Sequence, residues 1–558
     1  MTESKLAAAP FNLDAEALTW VRATFDRLSF EDKVAQLFIL PWPGPSRDSL
    51  DAMKRLRPGG VTRFFLRGET AETELAAFAA LREASVVPPF ITADLEGSRM
   101  SLPFGTEVLN PLGLAAIDDP EATRTVARII AEEAQAIGVN WSFTPVVDVN
   151  AAFRSAIVAT RGFGSDVSTI ERHALIQIAE FQKRGIAATV KHWPGEGYDD
   201  RDQHLVTTIN PLSVEEWEAT FGRLYRSAID AGVMAVMSGH IAFPAFVRSL
   251  EPDAGLKAFR PASVSTPLNV TLLRERLGFN GLIVSDASSM AGLGAWGPSD
   301  ETIPGLIANG CDVVLFPPDP ERHMAIVRRA VEDGSIPKAR FEDALMRVLG
   351  LKAAIGLHKP DRRSDAERLA AIATRENRAA ALAVTRRAPT LVKDTQALLP
   401  LDPSKHRRIL LFTSDIVHPL AGTAVPFALP DMLRAQGFEV TSFTPGTAVT
   451  RANFDLVLYL FGDETLLTRN RIFIDWMKLA GGNLDVAMHR TWHDIPTLMI
   501  SFGYPYLLYD APRVPTYINA YATMESMQRA VADALLGNVA WNRNSPVDPF
   551  CGLEDARA

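Results

Sequence analysis

The chain has 558 residues, of which 47% are hydrophobic and 22% are charged, and its formal net charge at pH 7 is −9. One hydrophobic core stops growing at roughly 250–300 residues, so we predict two globular domains. The composition excludes a disordered or fibrous protein, and the dispersed charges offer no basic surface to a polyanion. Nucleic acid is therefore not an expected partner.

The cysteines and the first residues of the chain indicate its compartment. Cys311 and Cys551 are the only two cysteines, and they predict neither a disulfide framework nor a zinc cluster. The first twenty residues lack the basic start and apolar stretch of a secretory signal, and no apolar run reaches about 18 residues. We expect a cytoplasmic protein without membrane contacts.

Eight short apolar runs rich in β-branched residues follow one another through the first part of the chain. They are VAQLFIL, GGVTRFFL, PPFITADLEG, NWSFTPVVDVN, IAATVKH, VMAVMSGH, GLIVSDAS and CDVVLF. Amphipathic helical patterns lie between them, and this alternation indicates an α/β protein with a parallel sheet. Eight such units predict a TIM-type (β/α)8 barrel, to which we assign residues 1–360.

A second unit follows the polar stretch GLHKPDRRSDAER. We predict a helix over about residues 366–385, and then strands at RRILLFT, FDLVLYLFG and TLMISFG with helical patterns between them. Residues 361–558 are therefore assigned to a smaller αβα sandwich domain. The chain has no GxxxxGK[ST] loop and no clear GxGxxG pattern, so a nucleotide cofactor has no supporting motif.

Polar residues stand at or just after the ends of several of the eight runs. They are Asp94, Asp148, Lys191, His192, His240 and Asp286. Helix capping explains one or two such residues. Polar residues at the ends of several strands instead predict an active site, because barrels of this type build their active sites at the C-terminal ends of the strands.

The densest group of titratable residues is KHWPGEGYDDRDQH, residues 191–204. A solvated connecting loop is the simplest interpretation of such a stretch. A metal site is another, because nitrogen and oxygen ligands occur at His192, Glu196, Asp199, Asp200, Asp202 and His204. No HExxH or DxDxDG pattern orders these ligands, so we expect no metal cofactor.

The same stretch resembles a motif of glycoside hydrolase family 3, in its β-N-acetylglucosaminidase branch. The match to K-H-F-P-G-x-G-x4-D-x-H runs from Lys191 to His204 with the same spacing. ADLEGSRM, TRGFGSD and GLIVSDASSM are similar to further first-domain motifs, and LVKDTQALLPL and SFGYPYLLYDAP to second-domain landmarks. The sequence departs from the pattern at Ser98, Glu196 and Ala287, where the family often has Gly, His and Asp.

The resemblance implies a retaining, exo-acting hydrolase of terminal β-linked N-acetylglucosamine that needs no cofactor. Asp286 would be the nucleophile, and His204, oriented by Asp202, would be the acid/base, since an imidazole exchanges protons near neutral pH. The substrate is expected to be a small carbohydrate, and the oligomeric state is left open. The residues expected to hold the sugar are Asp94, Arg161, Lys191, His192 and, as a weaker candidate, Arg99.

Three alternatives remain open from the sequence. A β-glucosidase of the same family would take its acid/base from the second domain, where Asp463 and Glu464 are the conspicuous candidates. A phosphorylase is possible because an imidazole repels an arriving phosphate less than a carboxylate would. A carbohydrate-binding protein without turnover is the third, and the intact Asp286, Asp202 and His204 count against it.

Overall fold

A computed structural model describes residues 2–65, 68–361, 363–417 and 424–557. Eight parallel strands close into a barrel in chain order, which confirms the predicted TIM-type architecture. Each predicted run supplies one strand: β1 Phe38–Trp42, β2 Gly60–Arg63, β3 Phe90–Ala93, β4 Trp141–Ser142, β5 Ala187–Trp193, β6 Ala235–Ser238, β7 Leu282–Ala287 and β8 Val313–Leu315. Leu66 in the second run and Arg362 in the polar stretch lie outside the described residues.

Helices connect the barrel strands, and their ends follow local capping chemistry. The Asp119 side chain accepts a hydrogen bond from the backbone N–H of Glu121, and Gly138 ends the same helix in a left-handed conformation. The α-helices are α1 Glu3–Ala7, α2 Ala15–Arg27, α3 Phe30–Ala35, α4 Arg47–Leu56, α5 Ala71–Ala84, α6 Pro111–Ile117, α7 Pro120–Ile137, α8 Val167–Gln182, α9 Val214–Trp217, α10 Arg223–Asp230, α11 Pro244–Leu250, α12 Ala291–Gly294, α13 Ser299–Ala308, α14 Pro320–Glu332 and α15 Lys338–Ala354. The π-helical segments are Glu218–Gly222 and Pro267–Arg276.

The second unit contains a six-stranded sheet in the order β9-β14-β13-β12-β10-β11. β9 pairs antiparallel with β14, and the other neighbours are parallel. The strands are β9 Thr390–Asp394, β10 Arg408–Ile416, β11 Glu439–Ser442, β12 Leu456–Gly462, β13 Thr497–Ser501 and β14 Thr516–Asn519. The helices are α16 Asp365–Ala370, α17 Arg375–Thr385, α18 Leu429–Arg434, α19 Trp476–Leu479, α20 Leu484–Met488 and α21 Glu525–Leu535.

Two local predictions differ from the structure. The run VAQLFIL begins in α3, because the Ser29 side chain caps that helix and carries it through Ala35 before β1 starts. The helix expected over residues 366–385 is two helices, α16 and α17. Ala373 adopts a left-handed backbone between them, and the Thr374 side chain caps the second.

The barrel and the second sheet share hydrophobic clusters. One contains Leu40 and Ile283 of the barrel together with Ile409 and Leu458 of the second sheet. Another joins Leu112 and Ala116 of α6 to aromatic residues of the second domain, among them Tyr521. The predicted division after residue 360 falls between α15 and α16. Among the described helices, none combines the length and apolar character needed to cross a bilayer.

Candidate active site

A cavity of about 300 Å³ opens at the C-terminal face of the barrel and is closed from one side by the second domain, which contributes Glu464, Thr465 and Leu467. Its wall brings together residues that are far apart in the chain, since parallel strands end on one rim. Of the eight site residues predicted from the sequence, seven line this cavity: Asp94, Arg99, Arg161, Lys191, His192, His204 and Asp286. The eighth, Asp202, lies behind His204.

One wall of the cavity is a network of paired charges. Lys191, near the end of β5, places its Nζ 2.6 Å from Asp94 Oδ1 and 2.8 Å from Glu96 Oε1. Arg161 donates two hydrogen bonds to Glu96, over 2.8 and 2.9 Å. The two cations and two carboxylates therefore hold one another in a fixed arrangement.

Charge pairing also sets the ionisation of this network. Burial would raise the pKa of Glu96, but Arg161 and Lys191 hold it well below its ordinary value. Burial would lower the pKa of Lys191, but Asp94 and Glu96 raise it. Glu96 and Lys191 therefore carry their charges at neutral pH.

His192 is oriented by Asp148, which follows β4. The Asp148 carboxylate lies 2.6 Å from His192 Nδ1 and accepts the backbone N–H groups of His192 and Glu196 over 3.0 and 2.9 Å. Burial would raise the pKa of Asp148, but His192 and these N–H groups lower it. Asp148 thus fixes the ring that His192 presents to the cavity.

Glu196 lies behind the cavity rather than in its wall and is 3% exposed. Its Oε2 lies 3.0 Å from Gln203 Nε2, and Gln203 Oε1 accepts the backbone N–H of His240 over 2.8 Å. Burial, with Asp148 and Asp202 nearby, raises the pKa of Glu196 well above its ordinary value. A neutral carboxyl group is therefore expected at this position.

His240 is a structural residue in this arrangement. Its Nε2 lies 3.0 Å from the carbonyl oxygen of Ala287, and its Nδ1 lies 2.8 Å from Ser263 Oγ. Because a carbonyl only accepts, Nε2 carries the proton and Nδ1 accepts from the hydroxyl. Burial lowers the pKa of His240, which keeps the ring neutral.

Asp286 is the penultimate residue of β7 and is 8% exposed. Its Oδ1 accepts the backbone N–H of Ala287 over 2.7 Å. Burial would raise the pKa of Asp286, but His192, His204 and this N–H lower it. The result is an ionised carboxylate that faces the cavity.

His204 and Asp202 form a dyad on the loop that follows β5. His204 Nδ1 and its backbone N–H lie 2.7 and 2.8 Å from Asp202 Oδ1, and the Asp202 side chain is only 2% exposed. Burial would raise the pKa of Asp202, but the bonds from His204 and from the backbone N–H of Thr468 lower it. With Nδ1 so bound, Nε2 is the ring nitrogen left for a ligand.

The two acidic residues that the sequence offered in the second domain differ in their surroundings. Glu464 lines the cavity, and its Oε1 lies within 2.8 Å of Thr523 N, Thr523 Oγ1 and Ser98 Oγ. Burial raises the pKa of Asp463, which is not among the residues of the cavity wall. The Glu464 carboxylate is thus already occupied by donors from both domains.

Sequence reasoning did not select two features of the site. Glu96 is central to the charge network, and the available signal was its place two residues after Asp94 in the ADLEGSRM segment. The backbone N–H of Thr468, which donates to Asp202 Oδ2 over 2.9 Å, has no side-chain signature at all.

The barrel thus brings a buried carboxylate, a carboxylate-bound imidazole and a network of paired charges together on one rim. Residues 29–351 match the profile of the glycosyl hydrolase family 3 N terminal domain. The chain is 37% identical to a β-N-acetylglucosaminidase/β-glucosidase from Cellulomonas fimi over 570 aligned positions, which cover 99% of both chains. This chain therefore belongs to glycoside hydrolase family 3 and is a glycosidase.

Solved structures extend the comparison. A β-glucoside phosphorylase, BglX, has 32% sequence identity and a TM-score of 0.91, with 100% of both chains covered. A family 3 β-N-acetylglucosaminidase from Paenibacillus sp. str. FPU-7 has a TM-score of 0.80 at 22% identity, covering 94% of this chain and all of its own, and supports the fold alone.

Proposed function

We propose that this chain is a retaining, exo-acting enzyme that removes a terminal β-linked N-acetylglucosamine through a covalent glycosyl-enzyme. The observation that carries the proposal is the cavity shared by Asp286 and His204. One is a carboxylate with a lowered pKa, and the other is an imidazole whose Nδ1 is bound by Asp202. Retaining cleavage requires a nucleophile and a proton donor of this kind in one site.

The reaction has two steps. In the first, an oxygen of Asp286 attacks C1 while His204 gives its Nε2 proton to the glycosidic oxygen, so that the C1–O bond breaks and an ester forms. In the second, the neutral imidazole takes a proton from water, the water oxygen bonds to C1, and the ester bond breaks. Two inversions at C1 give overall retention.

The charge network supplies donors for the sugar hydroxyls. The Lys191 ammonium has three N–H groups, of which Asp94 accepts one, and it forms an ion pair with Glu96; the Arg161 guanidinium has five N–H groups, of which two donate to Glu96. The remaining donors, with the Asp94 carboxylate and the fixed His192 ring, would bind hydroxyls along the cavity wall. Arg99 also lines the cavity and is a weaker candidate for the same role.

Trapping the intermediate tests this proposal. A 2-deoxy-2-fluoro glycoside with an activated leaving group slows the second step, so mass spectrometry of peptides should find the label on Asp286. Asp286→Asn should remain folded and unlabelled, because a neutral amide cannot form the ester. A label on any other carboxylate would overturn the assignment. Nitrophenyl β-N-acetylglucosaminide and β-glucoside, compared by kcat/KM, identify the preferred sugar.

Phosphorolysis is a second candidate, in which phosphate replaces water in the second step. Two observations favour it: the base beside Asp286 is an imidazole rather than a carboxylate, and the Arg99 guanidinium also lines the cavity. Phosphate is repelled less by these groups than by a second carboxylate. The full-length likeness to a β-glucoside phosphorylase agrees with this candidate.

The two acceptors are distinguished by product analysis. Turnover of a nitrophenyl glycoside with and without inorganic phosphate, followed by phosphorus NMR, should reveal a sugar 1-phosphate with the substrate's anomeric configuration if phosphate is the acceptor. Free sugar at a rate that phosphate does not change supports hydrolysis. The cytoplasmic location expected from the sequence stays a prediction.

A further inference from the structure

The loop of residues 463–468, which follows β12 in the second domain, contacts the barrel at several points. The backbone N–H of Leu466 donates to the carbonyl oxygen of Ala156 over 3.2 Å. The hydroxyls of Thr465 and Thr160 lie 3.2 Å apart. The 463–468 loop is therefore fastened to the barrel beside the cavity.

The last residue of this loop reaches the acid/base dyad. Thr468 donates its backbone N–H to Asp202 Oδ2 over 2.9 Å, while Asp202 Oδ1 accepts from His204. The Asp202 carboxylate is 2% exposed, and each of its oxygens accepts a hydrogen bond, one from a barrel donor and the other from a second-domain donor. Without the Thr468 N–H, Oδ2 would lack this donor and the carboxylate would be free to rotate away from the imidazole.

The first part of the loop is anchored by Glu464. Its Oε1 accepts the backbone N–H and hydroxyl of Thr523, over 2.7 and 2.6 Å, and the Ser98 hydroxyl over 2.8 Å. Arg99 Nε lies 3.5 Å from the same oxygen. Ser98 holds a left-handed backbone at φ +48°, which is uncommon for a residue with a side chain, and its hydroxyl forms a bond across the domain boundary.

We infer that the 463–468 loop positions the Asp202–His204 acid/base, and that Glu464 is the positioning residue that anchors it rather than a proton donor. The inference rests on the proposed function, since it assigns proton transfer to His204. Through Thr468 and Asp202 the loop would keep the Nδ1 proton of His204 bound to the carboxylate, so that Nε2 faces the departing oxygen and exchanges the proton there. The second domain would thereby complete a site whose chemistry belongs to the barrel.

Glu464→Gln tests the inference, because an amide that keeps its oxygen towards Thr523 and Ser98 must turn its NH2 group towards the Asn110 Nδ2 donor, which lies 3.4 Å from Glu464 Oε2. Proton donation contributes about 10²–10⁴ in rate when the leaving group is poor and little when it is good. We expect kcat/KM for a methyl glycoside to fall by about tenfold or more, and that for a dinitrophenyl glycoside by less than about threefold. Glu439→Gln, at an exposed position of the same domain, should match the wild type in both assays.

A double variant separates positioning from direct catalysis. In a His204→Ala background, Glu464→Gln should have no further effect on either substrate, because a residue that acts through His204 has nothing left to position. A further loss with either substrate would overturn the inference, and a loss confined to the methyl glycoside would make Glu464 itself a proton donor. If His204→Ala itself slows both substrates equally, the proposed function fails instead, and the two failures are thus distinguishable.

Ser98→Gly keeps the test valid should Glu464→Gln fail to fold. Glycine tolerates the left-handed backbone at this position, so the variant removes the hydroxyl that reaches Glu464 with little strain. We expect a smaller decrease in kcat/KM that again appears with the methyl glycoside and not with the dinitrophenyl glycoside. A decrease of the same size with both substrates would contradict the positioning role.

Discussion

At the scale of single residues, Lys352 is a buried amine whose described contacts are with uncharged groups. It lies on α15 with 0% exposure, donates from Nζ to Gln36 Oε1 over 2.7 Å, and lies 5.0 Å from the ring centre of Phe90. Burial lowers its pKa well below the ordinary lysine value. The folded protein is therefore expected to hold this amine neutral over a range of pH in which the unfolded chain protonates it.

This difference predicts how stability varies with pH. Between the lowered folded pKa and the unfolded value of about 10.4, the unfolded state binds the extra proton, so the free energy of unfolding rises with pH. Urea titrations from pH 7 to 10 should show this rise reduced in Lys352→Met. The Lys338 side chain is 81% exposed, so Lys338→Met should keep the wild-type dependence of the free energy of unfolding on pH. Identical slopes in all three proteins would contradict the prediction.

Among the residues that the structure describes, Asp148, His192 and Glu196 form a group of possible metal ligands whose ligand atoms lie within 4.8 Å of one another. Asp148 already accepts from the His192 ring and from two backbone N–H groups, so hydrogen bonds account for its position. We expect extensive EDTA treatment to leave kcat unchanged. Activity that is lost on chelation and restored by zinc or magnesium would indicate a metal site instead.

At the scale of elements, the loop after β5 depends on a close approach between two backbone segments. Gly197 has φ +111°, and a Cβ at this position would lie 1.9 Å from the carbonyl oxygen of Val149. The N–H of Ala152 also donates to the Gly197 oxygen over 2.7 Å. The loop that carries the dyad is thus held against the segment after β4, and this explains why residues 191–197 are buried rather than solvated.

Gly197→Ala should displace this loop and with it His204. A shift of about 1 Å in a catalytic group costs about 10²-fold in rate, so we expect kcat/KM to fall by at least that order. Gly278→Ala is the matched control, because Gly278 also has a positive φ of +71° but no atom lies within 4 Å of a Cβ added there. It should lose about 1–2 kcal/mol of stability from backbone strain alone and keep its activity. Similar activity in the two variants would contradict the role of the close approach.

At the scale of the whole molecule, the two domains share buried contacts. The Asn110 side chain caps α6 through Gly113 N–H over 3.0 Å and donates to the carbonyl oxygen of Tyr521 in the second domain over 2.7 Å. Shared hydrophobic clusters lie around this contact. We therefore expect the domains to unfold together, although chains of this size often unfold in steps.

Calorimetry tests this expectation. The wild type should show a single transition, and Asn110→Ala should lower its temperature without splitting it, because the change leaves buried groups unpaired at a cost of about 1–3 kcal/mol. Asn453→Ala, at an exposed turn of the second domain, should have little effect. Two resolved transitions in the wild type would show that the shared contacts do not couple the domains.

The amino-acid pattern alone predicted the barrel and seven of the residues that line the cavity. Short β-branched runs that alternate with helical patterns specify parallel strands, and parallel strands end on one rim, so Asp94, Lys191 and Asp286 could be brought together without coordinates. The catalytic and binding roles of these residues were inferred from motif resemblance rather than from spacing.

The partners of these residues could not be predicted without the tertiary structure. The Glu96 pairing with Arg161 and Lys191, and the approach of Thr468 to Asp202, join segments that no local pattern relates. A backbone N–H is present at almost every residue, so the one that completes the dyad leaves no mark in the sequence. Its position follows from how the second domain packs on the barrel, which depends on contacts distributed over both domains.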